Sequence, residues 1–239
     1  MDRARLSLRV DEWEGADWPA VAFLIDGSDL TRLVGGDSFV GFDPDDILGA
    51  DEPLIPDVLP RRVAVYRCQC GEPGCGCIAP QIHREGDDIV WSDARDYTGV
   101  FARPLLTGEV PSGGTRLRMP VLRFDADQYE EEVRRASKDR SWETDRRATA
   151  RLLRSTLTDA ETLRRAGYAV QWASPTRERA ESFSVSLLDP GRVQLVVEAS
   201  APVQQPRDWA AELAALVLAV EPERWNVTFR GNFAWPAGK

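Results

Sequence analysis

The chain has 239 residues, 43% of them hydrophobic, which is enough for one large domain or two small ones without disulfide or metal staples. A formal charge of −9 and a pI near 4.8 count against a sequence-independent grip on nucleic acid, which needs clustered lysine and arginine. No stretch approaches the roughly 18 consecutive apolar residues of a bilayer span, and Met1 to Val10 alternates apolar and charged positions instead of forming a signal-peptide run, so a soluble cytoplasmic protein is expected.

Leu6, Leu8 and Val10 alternate with polar neighbours, and Ala20 to Ile25 is a compact apolar run closed by Asp26-Gly27; both predict strands. Val34 to Pro60 carries Asp37, Asp43, Asp45, Asp46, Asp51, Glu52 and Asp57 without a basic residue, and reads as an acidic loop region. Strands resume at Arg62 to Arg67, Ile78 to Arg84 and Ile89 to Ser92, a three-stranded meander interrupted by a cysteine-bearing turn. Thr107 to Thr115 is rich in turn formers, which places a linker or long loop at 111–116. Asp125 with Gln128 then predicts a capped helix burying Tyr129, Val133 and Ala136. Ser141 opens a second helix through Leu152 and Leu153, and Thr158 to Glu161 opens a third that stops at Gly167. Period-two segments follow, with Tyr168, Val170 and Trp172 on one face, then Phe183, Val185 and Leu187, then Val193, Leu195 and Val197. An amphipathic helix after Pro206 and a last strand around Trp225, Val227 and Phe229 complete the chain. The expectation is an α+β protein: a β-rich subdomain over 1–110, a linker or loop at 111–116, and an α+β subdomain over 117–239, packed as one unit or two. Trp91, Trp172, Trp209 and Trp225 fall in phase with core positions.

All four cysteines lie in Cys68-Gln-Cys70-Gly-Glu-Pro-Gly-Cys75-Gly-Cys77. If Gly71 to Gly74 reverses the chain, Cys70 faces Cys75, Cys68 faces Cys77, and all four side chains point to one side. Three readings stand. Four thiolates suit zinc or Cu(I), although one residue between paired ligands is tighter than the usual two to four. Cross-strand disulfides or redox chemistry form the second, which a reducing cytosol disfavours as permanent staples. Small apolar thiols packed at a turn form the third.

At this turn the chain resembles an uncharacterised family from bacteria with GC-rich genomes. That family shares a Cys-x-Cys-Gly-x-x-Gly-Cys turn followed by a strand ending in an aliphatic residue, any residue and Trp. The matching residues here are Cys68, Cys70, Gly71, Gly74 and Cys75, then Ile89 and Trp91, with a similar stretch at Phe23 to Leu33. The resemblance covers about the first hundred residues and implies no activity. Cys77 departs from the family pattern, which weighs against a family-wide site of four thiolates.

The single histidine, His83, is the one imidazole available as an auxiliary ligand or base, so no histidine-built zinc hydrolase is possible, and non-catalytic binding is expected rather than catalysis. Gly35-Gly36 and Gly113-Gly114 match no phosphate-binding fingerprint. Arg147, Arg151 and Arg154 would share one helical face, either solvated, paired with the acidic loop, or open to nucleic acid, though no reader motif accompanies it. Trp13 and Trp18 have no core phase. With Asp43, Asp45 and Asp46 they form a candidate surface for a basic protein partner, which makes an accessory or immunity-type protein one expectation. A thiolate metal handler or redox sensor is the other.

Overall fold

A computed structural model of the chain describes residues 3–15, 17–34, 38–56, 59–106 and 113–232. It is an α+β protein whose strands form three antiparallel sheets. The chain divides into two compact units at Trp142/Glu143, and each has its own apolar core.

In the first unit the order is β1 (Leu6–Glu12), β2 (Pro19–Ile25), β3 (Ser28–Asp29), α1 (Leu30–Val34), β4 (Phe39–Gly41), α2 (Pro44–Ile47), β5 (Arg61–Arg62), β6 (Tyr66–Cys68), β7 (Cys77–Glu85), β8 (Asp88–Tyr97), β9 (Thr115–Arg116), β10 (Leu122–Asp125) and α3 (Ala126–Lys138). β1-β2-β3 is one sheet, while β10-β8-β7-β6-β4 is the path of a second, with β5 on β7 and β9 on β8. The two sheets are stitched at both ends. Ala4 bridges Phe124 in parallel, and the Val21 N–H donates to Phe42 O at 3.0 Å. The second stitch needs Gly41, because a Cβ there would lie 1.9 Å from Val21 O. Trp91 sits at the centre, its ring edge-on to Phe23, Phe124 and Tyr129 at 5.7, 5.7 and 6.2 Å, and its Nε1–H donates to Tyr129 Oη at 3.2 Å.

β1 pairs on one side only, and α3 satisfies the other. Gln128 Oε1 accepts from Leu6 N–H at 3.2 Å and Gln128 Nε2 donates to Leu6 O at 2.9 Å. Glu132 Oε1 accepts from Leu8 N–H at 2.6 Å, and Arg135 donates to Leu8 O at 2.8 Å. Residues spaced 4 and 3 apart lie on one helical face, so this row of side chains stands where a neighbouring strand would. Asp125 caps α3 by accepting from Gln128 N–H, as its sequence predicts.

The second unit runs α4 (Asp145–Asp159), α5 (Glu161–Arg165), β11 (Ala169–Pro175), β12 (Ser182–Leu188), β13 (Val193–Ser200), α6 (Pro206–Leu218) and β14 (Val227–Asn232), with the four strands side by side in that order. Leu153 and Leu157 of α4 join Phe183, Leu195 and Val197 of the sheet and Trp209 and Leu213 of α6 in its core.

Several expectations change. The break at 111–116 moves to Trp142/Glu143 because Phe124, Tyr129 and Val133 are buried in the first core, and Thr115–Arg116 pairs with β8. Residues 107–112 lie outside the described residues. The cap of α4 is Thr144, not Ser141, and Thr158 falls inside α4, its hydroxyl turned to Arg154 O. Trp172 is 37% exposed because a bulge between Val170 and Trp172 shifts its register and turns it to the other face. Trp91, Trp209 and Trp225 are buried as expected. The arginine face is not a solvated stripe: Arg147 is 5% exposed, and Arg151 binds Glu143 through both carboxylate oxygens at 2.6 and 2.9 Å.

Candidate metal centre

β6 and β7 pair Tyr66 with Ile78 and Arg67 with Cys77, so Cys68 stands opposite Gly76 and its N–H donates to Gly76 O at 2.8 Å. The expected facing of Cys68 with Cys77 is therefore one residue out of register. A shift of one residue reverses the face on which a strand side chain emerges. Cys77 accordingly leaves the expected set of four. It is fully buried, and its thiol donates to Pro73 O at 3.1 Å. Gly71 closes the first bend with its N–H on Cys68 O at 2.9 Å and a φ of +87°, which glycine adopts without strain. A 3-10 turn over Pro73–Cys75 then swings Cys75 back toward Cys68 and Cys70.

The sulfurs of Cys68, Cys70 and Cys75 all lie within 4.8 Å of one another, and Cys70 and Cys75 are exposed. The Cys70 N–H and then the Cys70 thiol hold the Cys68 sulfur below the usual thiol range. Its two neighbours push Cys75 up to about 11. The first proton leaves this cluster easily and the last with difficulty, as in any set of closely spaced acids. Burial drives the Cys77 thiol far above its ordinary value, which keeps it a neutral packing group. The outer three could hold a metal ion.

The turn is braced from the β1–β2 hairpin. The Arg67 guanidinium lies between the rings of Trp13 and Phe42, 5.6 and 5.7 Å from their centroids, and donates to Gly71 O at 3.0 Å. Trp13 packs so closely on Gly71 that a Cβ there would sit 3.0 Å from its ring. Trp13 is thus part of this site, its N–H donating to Trp18 O at 3.0 Å, and both tryptophans are half-buried. Arg67 was not foreseen, since no sequence pattern ties it to a tryptophan in a distant hairpin.

The other expected site residues lie elsewhere or are already engaged. His83 is six residues along β7 from Cys77, roughly 20 Å in an extended strand, so it is no auxiliary ligand for the turn. Its Nδ1 is buried without a hydrogen-bond partner among the described residues. Asp43 caps α2 by accepting from Asp45 N–H at 2.9 Å, and Asp45 pairs with Arg140 at 2.6 Å. Asp43, Asp45 and Asp46 are half-buried rather than a free acidic surface. The cation that meets the acidic loop is Arg140, which is not one of the three arginines expected to share a helical face. No protein-family model, curated protein or solved structure matches the chain.

Proposed function

We propose that this protein binds a thiophilic metal ion, zinc or Cu(I), exchangeably through Cys68, Cys70 and Cys75. The observation that carries this reading is the convergence of three sulfurs within 4.8 Å at an exposed turn. A tetrahedral ion with Zn–S bonds of about 2.3 Å spaces its sulfurs about 3.8 Å apart, so the cluster closes on an ion through shifts on the order of 1 Å. Thiolates favour zinc and Cu(I) over harder ions. With Cys77 turned inward, three protein donors remain, and zinc would complete its shell from outside, whereas Cu(I) is content with three. A shell left open on an exposed turn suits an ion that is taken up and handed on. It does not suit the closed four-thiolate knuckle that locks a fold.

Trp13, Asp43 and Asp45 also serve the fold, so no observation favours the accessory-protein reading over the metal reading. The test is native mass spectrometry of the reduced chain with zinc and, separately, Cu(I), against the Cys68→Ser, Cys70→Ser and Cys75→Ser variants. One ion per chain is expected, with each serine variant weakening affinity by more than the ~100-fold that loss of a supporting second-shell group can cost. No bound ion, or binding by all three variants as tight as that of the unmodified chain, overturns the proposal.

A further inference from the structure

We infer that the same three thiols form an oxidation switch, in which a peroxide-class oxidant joins Cys75 to Cys68 across the turn and removes two of the ion's donors at once. The inference rests on the reading of these thiols as the donor set. Cys75 arrives on the limb opposite Cys68, next to Gly76, whose carbonyl already accepts from the Cys68 N–H. The sulfurs start within 4.8 Å and must close to about 2.05 Å. Gly74 and Gly76 flank Cys75, and Gly71 with Pro73 shapes the bend ahead of it, so the limb that moves is short and lacks bulky side chains at both neighbours.

The chemistry balances with one equivalent of peroxide. The Cys68 thiolate sulfur attacks a peroxide oxygen, the O–O bond breaks, and hydroxide leaves, giving a sulfenic acid. The Cys75 thiolate then attacks that sulfur, the S–O bond breaks, and a second hydroxide departs. With the two thiol protons the hydroxides become two waters; the thiols have lost two electrons and the peroxide has gained them. Cys70 alone then remains as a donor, and the ion leaves as the free cation. Cys77 stays apart because its thiol is buried and turned to Pro73 O.

The metal-free reduced full-length chain would be treated with hydrogen peroxide, alkylated after denaturation, and mapped by non-reducing peptide mass spectrometry. The expected product is a Cys68–Cys75 crosslink that is reversed by a dithiol reductant, with Cys70 and Cys77 alkylated. Cys75→Ser abolishes the crosslink and Cys77→Ala leaves it intact. A crosslink containing Cys70 or Cys77, or sulfinic and sulfonic acids with no crosslink, overturns the inference. In a parallel arm, peroxide added to the zinc-loaded chain should release the ion to a colorimetric chelator in step with crosslinking; retention of the ion by crosslinked chain also overturns it. Failure of the reduced chain to bind any ion sinks the metal reading alone, because the metal-free mapping is read without it.

Discussion

Cys75 and Cys77 are two positions apart, yet one belongs to solvent and the other to the core. The difference follows from the 3-10 turn, which ends at Cys75, and from Gly76, whose extended backbone starts β7 with Cys77 facing inward. Replacing Cys77 with serine puts a more polar hydroxyl into an apolar site. Chemical denaturation should show a loss of about 1–3 kcal/mol. Ion stoichiometry at the turn should stay at one, and loss of the ion with the fold intact would return Cys77 to the donor set. The clustering of the cysteines was readable in the sequence. Their division into three and one was not, because it depends on a register that only the paired strands fix.

Elements are held here by side chains reaching into backbone ladders. α3 closes the open edge of β1 through Gln128, Glu132 and Arg135, a device that prevents a foreign strand from adding there. Burial raises the Glu132 carboxyl, but Arg135 and the Leu8 N–H outweigh it and hold the group below its ordinary 4.5. A carboxyl depressed on folding contributes stability above its unfolded value and loses it as pH falls through the folded one. Thermal denaturation of Glu132→Gln should therefore show a loss of roughly 1 kcal/mol or less at pH 7, with the two curves converging below pH 4.5 as the wild-type carboxyl protonates. A gap that persists in acid would assign the effect to packing. The helix itself was legible through its Asp125 cap and the Tyr129, Val133, Ala136 stripe. Its use as a surrogate strand was hidden, since polar residues at that spacing read as a solvated face. The bulge that exposes Trp172 was hidden for a similar reason: periodicity assumes unbroken register.

At the scale of the molecule, two apolar cores form from separate stretches of chain. The α+β class and most of the longer elements follow from periodicity and turn chemistry alone. The position of the division does not, because the turn-rich segment near residue 111 falls within the first unit, while the division at Trp142/Glu143 carries no run of glycine or proline. A fragment from Glu143 to Lys239 is expected to fold alone, giving a cooperative melt by circular dichroism and the blue-shifted fluorescence of buried Trp209. A non-cooperative melt would show that this unit needs the other.

The inward turn of Cys77 also furnishes a clock. With Cys70 and Cys75 exposed to an alkylating reagent, Cys68 half-buried and Cys77 sealed, the faster phases of labelling count the outer set, and the slowest reports opening of the first core. Where reclosing outpaces alkylation, the ratio of the slow rate to the fast one gives a local opening free energy, obtainable from the unmodified chain in dilute buffer without any denaturant.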